Sequence, residues 1–281
     1  MKSSFLRTSP SLRFERIFHE YLRKPMNNHL APESHSAIIP QPPRNWSLGE
    51  GLILWVLSVI LILVVPAIAV IPFALLAPGS EGMDLSENKL AMVVSILAIL
   101  PAHLITMFFA WLLVKKHSAY GFFETIGWRW NKIGLATSAL LTVAFLIAAA
   151  IVATVAPPED NDFLKILRSS QFALIAVAFV AVVTAPIVEE VVYRGILFPA
   201  LKKSHGASFS IFAVTALFAL VHVPQYWPSY STIGIILSLS LFLTIIRNWT
   251  NSLLPCFAIH LIFNSLQVVS LLMFPEQISG K

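Results

Sequence analysis

Two adjacent carboxylates and one guanidinium lie inside a strongly apolar part of this sequence. Glu189, Glu190 and Arg194 interrupt the stretch from Ala185 to Gly195, and a charged side chain at the centre of a bilayer costs about 2.5 to 3.5 kcal/mol on insertion scales. In a helix, Glu190 and Arg194 are four residues apart and share a face, whereas Glu189 is rotated by about 100°. We therefore expect Glu190 and Arg194 to pair, which leaves Glu189 free for chemistry.

Further polar side chains follow at helical spacing in later apolar runs. Phe218 and His222 are four residues apart, as are His260 and Asn264, so each pair lies on one face of its helix. A structural ion pair between helices would also explain the three charges alone, and a single histidine in an apolar helix is more often a packing residue. Polar positions on three helices favour one shared cavity. His103 has no spaced partner and is interpreted as a packing or cavity residue.

The elements that must position these residues are membrane-spanning helices. Hydrophobic residues make up 57% of the 281-residue chain and charged residues 12%, about half the charged share of soluble domains. A helix needs about 20 apolar residues to cross the hydrocarbon core, and seven runs approach or exceed that length. These runs are Leu52–Ala77, Leu90–Val114, Ile133–Ala156, Phe172–Val188, Ala207–His222, Ile233–Ile246 and Leu253–Phe274. We predict an all-α, polytopic transmembrane bundle of seven spans around an intramembrane catalytic cavity, with an eighth span if the fourth run is broken.

The charge distribution predicts orientation and partners. Most Lys and Arg residues fall on the cytosolic side if the N-terminus is inside, and the outer loops are acidic. We therefore expect an integral protein of the bacterial cytoplasmic (inner) membrane, with its N-terminus inside and its C-terminus outside. The net charge of +5 is spread over membrane-flanking loops, which favours contact with anionic lipid in the bilayer and no binding of nucleic acid.

The N-terminal part differs in composition from the rest. Residues 1–45 contain several prolines and no sustained apolar period, so they are expected to form a largely disordered cytosolic segment. The transmembrane domain is expected over residues 46–281. The single cysteine, Cys256, has no partner for a disulfide within one chain.

Three short motifs occur in order along the chain, one directly after the fourth apolar run, one in the fifth and one in the seventh. They are Glu189-Glu190-x-x-x-Arg194, Phe218-x-x-x-His222 and His260-x-x-x-Asn264. This combination resembles the CPBP family of intramembrane proteases, also called the Abi or CAAX-protease family, which includes type II CAAX prenyl endopeptidases and bacteriocin self-immunity proteins. Each motif is weak alone, but three in order are specific. The resemblance covers the expected protease core, about residues 172–274, and the N-terminal half contributes nothing to it.

The resemblance implies a role for each motif residue. In that family the first glutamate of the pair and the histidine of the second motif activate a water, so Glu189 would be the general base and His222 would hold or share that water. His260 and Asn264 would stabilise the oxyanion of the tetrahedral intermediate, where one preorganised donor is worth about 3 to 4 kcal/mol. The supporting positions are matched by Glu190, Arg194 and Phe218.

A metal-dependent mechanism is an alternative reading of the same residues. Glu189, His222 and His260 have the ligand types of a catalytic zinc site, which uses three protein ligands and one open position. The His-Glu-x-x-His spacing of common zinc proteases is absent. We therefore expect a metal-free mechanism and no certain cofactor, with zinc as the alternative.

The predicted function is that of an intramembrane endopeptidase. Its substrate would be a membrane-associated protein or peptide, in a CAAX-type reaction or in bacteriocin processing and self-immunity. A non-catalytic membrane scaffold or chaperone would not require the unpaired Glu189. A proton-coupled transporter is weakened by the absence of an obvious internal repeat.

Overall fold

The chain folds into helices throughout the part that the structure describes, residues 44–76 and 88–273 of a computed structural model. No β-strand occurs in these residues, only an isolated bridge between Asn131 and Ile133. The helices are α1 (Leu48–Leu76), α2 (Lys89–Leu97), α3 (Ile99–His117), α4 (Phe122–Ile126), α5 (Leu135–Val155), α6 (Asp162–Ser169), α7 (Gln171–Phe179), α8 (Ala185–Glu189), α9 (Phe198–Tyr226), α10 (Tyr230–Thr250) and α11 (Leu254–Met273). Two π-helical segments, π1 (Val180–Thr184) and π2 (Glu190–Leu197), flank α8.

Six helical stretches among the described residues are long and apolar enough to cross a membrane. They are Leu48–Leu75, Lys89–His117, Leu135–Val155, Gln171–Tyr226, Tyr230–Thr250 and Leu254–Met273. The all-α membrane fold is thereby confirmed. The fourth and fifth predicted runs fall in one stretch of 56 residues, which the non-helical backbone of Gly206 divides into two helical segments, and the count of seven or eight spans stays a prediction. The expected disordered segment 1–45 lies outside the described residues except for its last two positions.

The 56-residue stretch reverses direction at Gly206. Its backbone has φ 80° and ψ 175° there, a conformation that glycine adopts without the steric cost that a side chain adds. Beyond this point the Phe218 ring returns to pack 5.1 Å from the Tyr193 ring. In a straight helix these residues would be roughly 37 Å apart, at about 1.5 Å per residue. The segments before and after Gly206 are therefore two legs that pack side by side.

A proline explains the widened backbone that precedes the paired glutamates. Pro186 lies in the first turn of α8 and has no N–H with which to bond the carbonyl four residues earlier. The π1 segment ends two residues before it, at Thr184. Such π-helical turns change the rotational register of a helix and are frequent at functional sites.

The outer surface of the bundle is apolar, and the interior contains polar groups. Large side chains such as Leu63, Leu104 and Leu140 are exposed on α1, α3 and α5. Glu190 and Arg194 are completely buried instead. This inversion is expected of a helical membrane protein, because apolar side chains face lipid and ionisable side chains face the bundle interior.

Candidate active site

The two adjacent carboxylates lie at the junction of α8 and π2 and have different surroundings. Glu190 is completely buried, and its Oε1 atom accepts hydrogen bonds from Arg194 Nη1 and from His260 Nδ1, each at 3.0 Å. Its second oxygen, Oε2, is buried without a hydrogen-bond partner among the described residues. The side chain of Glu189 is 20% exposed. The expected Glu190–Arg194 pair is present, and Glu189 is the accessible carboxylate.

Arg194 is fixed by the neighbouring helix α10. Its Nη2 atom donates to the hydroxyl of Ser240 at 2.7 Å and to the Ser240 carbonyl at 3.1 Å, and its Nε atom donates to Thr244 at 3.3 Å. The guanidinium also lies 4.7 Å from the centre of the Phe218 ring. Arg194 thus connects π2, α9 and α10, and it holds the Glu190 carboxylate in place.

His260 lies between the two carboxylates. Its Nδ1 atom contacts Glu190, and its Nε2 atom is 3.6 Å from Glu189 Oε2, which exceeds the usual hydrogen-bond distance. An ionised carboxylate only accepts hydrogen bonds, so Nδ1 is the donor to Glu190. In the neutral ring Nε2 then carries the lone pair that faces Glu189. The sequence analysis assigned His222 as the partner of Glu189. In the structure, His260 is the histidine beside Glu189.

His222 is anchored to its own helix. Its Nδ1 atom donates to the Phe218 carbonyl at 2.7 Å, and its ring stacks on the Phe218 ring at 4.6 Å. The same phenyl ring lies edge-on to His260 at 6.1 Å. Phe218 thus contacts both histidine rings and Arg194. Since His222 Nε2 has no hydrogen-bond partner within the described ranges, this nitrogen is available to a water or a substrate.

Asn264 follows His260 by one turn on α11 and supports π1. Its Nδ2 atom donates to the Ala181 carbonyl at 2.8 Å. An amide nitrogen carries two hydrogens, so one remains available after this bond. Asn264 therefore stabilises π1 through one amide hydrogen and has a second hydrogen available, one helical turn from His260.

Three backbone carbonyls in the π-helical segments are satisfied by side chains from other elements. Asn264 bonds Ala181 in π1, Trp46 Nε1 bonds the Ile196 carbonyl at 3.1 Å, and Arg247 Nε bonds the Arg194 carbonyl at 2.9 Å. Such partners are required because unsatisfied backbone groups are costly inside a membrane. These contacts fix the segments that hold Glu189 and Glu190.

Sequence reasoning missed the polar residues Ser240 and Thr244 at the site and gave His103 no partner. His103, interpreted above as a packing or cavity residue, is buried and bonded to Thr184 in π1 at 2.9 Å, and it lies within electrostatic range of Glu189. Ser240 and Thr244 bind Arg194. The spacing of four residues between these two hydroxyls was a signal in the sequence, whereas nothing local connected His103 with Thr184.

The three residues considered as zinc ligands are not arranged as a metal site. His222 and His260 each donate through Nδ1 and leave Nε2 free, as histidine ligands of metals do. However, no three His, Cys, Asp or Glu residues in the described part of the chain are close enough together to hold a metal ion. Glu189, His222 and His260 therefore do not form a three-ligand site in this arrangement.

Fold and site together define an integral membrane protein with a carboxylate–histidine site inside its helical bundle. Residues 171–266, about a third of the chain, match the family of type II CAAX prenyl endopeptidases, Rce1-like. This match confirms the resemblance predicted from the three motifs and includes every motif residue. It indicates a peptidase of the CAAX type that acts on a protein or peptide. Comparisons with curated proteins and with solved structures found no match.

Proposed function

We propose that the protein is an intramembrane endopeptidase in which Glu189 activates a water for attack on a peptide bond. The observation that carries this proposal is the position of His260 between the buried carboxylate of Glu190 and the accessible carboxylate of Glu189, which lies 3.6 Å from His260 Nε2. Glu190 is already occupied by Arg194 and His260. Glu189 is the carboxylate that remains open to a water and a substrate.

The residues support a metal-free sequence of proton transfers. Glu189 accepts a proton from the water as its oxygen attacks the substrate carbonyl, and the C–O bond forms. His222, through its free Nε2, accepts a hydrogen bond from the water and orients it, while the free amide hydrogen of Asn264 binds the oxyanion. When the C–N bond breaks, the proton taken by Glu189 passes to the leaving amine, with His260 Nε2 next to its path. The products are a carboxylic acid and an amine.

Glu190 and Arg194 position this machinery. The Glu190 carboxylate orients His260 through Nδ1, and Arg194 fixes Glu190 through its own bonds to α10. This sequence gives His260 a proton-transfer role beside Glu189. The resemblance alone implied oxyanion stabilisation, which would require a hydrogen on Nε2 while Nδ1 donates to Glu190.

The proposed substrate is a membrane-associated protein with a prenylated C-terminal peptide. A bacteriocin leader or an immunity function is the second candidate within the same reaction class. The apolar outer surface of the described helices supports access from the lipid bilayer. Location in a bacterial inner membrane with the N-terminus inside belongs to the same proposal and follows from the loop charges.

Paired substitutions at the site test the proposal. Purified Glu189→Gln and His222→Ala proteins would be assayed with a fluorogenic CAAX peptide, prenylated or not. We expect Glu189→Gln to lower kcat by about 10² to 10⁴-fold, the usual contribution of a general base. Glu124→Gln, at an exposed glutamate outside the site, serves as the control. Unchanged cleavage by both folded site variants would contradict the assignment of catalysis to Glu189 and His222, and the absence of cleavage by the wild type would favour a scaffold or transporter.

A chelator separates the metal-free mechanism from the zinc alternative. The same peptide assay would be run after treatment with 1,10-phenanthroline, followed by addition of zinc. We expect full activity throughout, because Glu189, His222 and His260 do not form a three-ligand site. Loss of activity that zinc restores would contradict this mechanism.

A further inference from the structure

A second buried polar cluster lies at the end of the bundle where α4 ends, and the proposed peptidase reaction does not use it. Arg247, on α10, is 1% exposed, and its Nη1 atom has no hydrogen-bond partner among the described residues. Arg44, which precedes α1 and is half-buried, has an unpartnered buried nitrogen as well, Nη2. Two guanidinium groups thus each have an unused donor in the same region.

One other donor of each arginine binds the carboxyl-terminal end of the short helix α4. Arg44 Nε donates to the Thr125 carbonyl and Arg247 Nη2 to the Ile126 carbonyl, each at 2.9 Å. Arg247 is held at a second point, because its Nε atom donates to the Arg194 carbonyl at 2.9 Å. Because a guanidinium group is planar and rigid, the bonded nitrogens also restrict the position of the unused nitrogen in the same group.

Gly127 shows that the two unused nitrogens converge. A Cβ atom on Gly127 would lie 3.0 Å from Arg44 Nη2 and 3.1 Å from Arg247 Nη1, with the Asn251 carbonyl at 3.4 Å. The backbone there has φ +81°, so a side chain would be strained as well as crowded. The absence of a side chain at Gly127 lets both unused guanidinium nitrogens approach this turn closely.

The charge around these two nitrogens is positive. Arg44 and Arg247 lie within electrostatic range of each other and of Arg129 and Lys202. Burial and the neighbouring Arg129 lower the pKa of Arg44 to about 10. The carboxylate within range of Arg247 is Glu190, which already binds Arg194 and His260. Burying a guanidinium group without a counter-ion costs free energy. An anion bound beside these arginines would lower that cost.

We propose that Arg44 and Arg247 form a binding site for a phosphate group beside Gly127, supplied by the headgroup of an anionic phospholipid. Guanidinium groups bind phosphate oxygens through pairs of N–H donors. The site lies where lipid headgroups are expected, because Trp249 and the exposed Lys132 and Lys202 occupy the same end of the bundle. Occupation would reach the candidate active site through Arg247, which bonds the Arg194 carbonyl.

Lipid binding to the purified full-length protein tests this proposal. Native mass spectrometry in a neutral detergent would compare phosphatidylglycerol with phosphatidylcholine for the wild type, Arg44→Gln and Lys203→Gln. The control removes an exposed basic charge of α9 that borders neither unused nitrogen. We expect a preference of at least tenfold for phosphatidylglycerol, a loss of about tenfold in Arg44→Gln, and less than a twofold change in Lys203→Gln.

Two outcomes would overturn the site. One is the absence of a preference for the anionic lipid, and the other is an equal loss in Arg44→Gln and Lys203→Gln, which would show diffuse charge attraction. If Arg44→Gln folds poorly, Arg44→Lys keeps the charge but removes the second nitrogen of the fork. Wild-type lipid affinity in that variant would overturn the requirement for Nη2, and a loss of fivefold or more would support it.

Inorganic phosphate identifies the source of the anion. Phosphate at millimolar concentration would be added to the wild-type protein with and without phosphatidylglycerol. Retention of the lipid, or its displacement by phosphate, supports a headgroup site. Phosphate binding without any lipid preference would overturn the lipid source and assign the site to free phosphate.

Discussion

The substitution Arg194→Met removes the charge of Arg194 but keeps an apolar side chain of similar length. Its effect on the free energy of unfolding follows from the contacts of Arg194. The substitution keeps an apolar chain against Phe218 but removes one of the two donors to Glu190 Oε1, leaving His260. Glu190 Oε2 already lacks a partner among the described residues, so the carboxylate would be buried with a single hydrogen bond. Breaking a buried ion pair from one side costs about 3 to 5 kcal/mol. We expect a loss of stability of this size.

The double variant tests the physical reason for that loss. Glu190→Gln keeps an oxygen that can accept from Arg194 and His260 but leaves the guanidinium without its counter-charge. Glu190→Gln combined with Arg194→Met removes both charges. We therefore expect the double variant to be more stable than the sum of the single effects predicts, by about 1 to 3 kcal/mol.

Thermal unfolding in a neutral detergent, followed by tryptophan fluorescence, is the assay. A change of 1 kcal/mol shifts Tm by about 2 to 4 °C in chains somewhat shorter than this one, so Arg194→Met should unfold roughly 10 °C below the wild type. Lys203→Met, at an exposed position, is the matched control and should change Tm by about 1 °C or less. A Tm within 2 °C of the wild type for Arg194→Met, or additive losses in the double variant, would refute the reasoning.

Three further predictions concern the turn, the aromatic contact and the amide. Gly206→Ala should lower stability by about 1 to 3 kcal/mol because of its positive φ, whereas Gly234→Ala, in open space on α10, should be neutral or stabilising by up to about 1 kcal/mol; equal effects on Tm would contradict this. Phe218→Ala should cost about 3 to 5 kcal/mol because the ring is 2% exposed, and a similar loss in thermal unfolding for the exposed Phe212→Ala would count against it. Asn264→Ala should lower kcat in the peptide assay by about 10² to 10³-fold with little change in KM, as expected for an oxyanion donor, and unchanged kcat would remove Asn264 from the mechanism.

Local features of the sequence were sufficient to predict the helical membrane fold and one contact of the site. Apolar runs of spanning length predict helices because a membrane leaves no water to satisfy the backbone. The spacing of Glu190 and Arg194 predicts their pairing because residues four apart share a helix face, and the structure has that pair. The family resemblance followed from motif order and was confirmed by the match over residues 171–266.

Only the tertiary structure decided which side chains from different helices meet. The contact of His260 with both carboxylates joins residues 70 or more positions apart, and the burial of Arg247 against α4 joins residues 121 apart. The reversal at Gly206 and the two π-helical segments set these contacts. Regular helix spacing cannot foresee them, because each one changes the direction or the rotational register of the chain, and every later side chain moves with it.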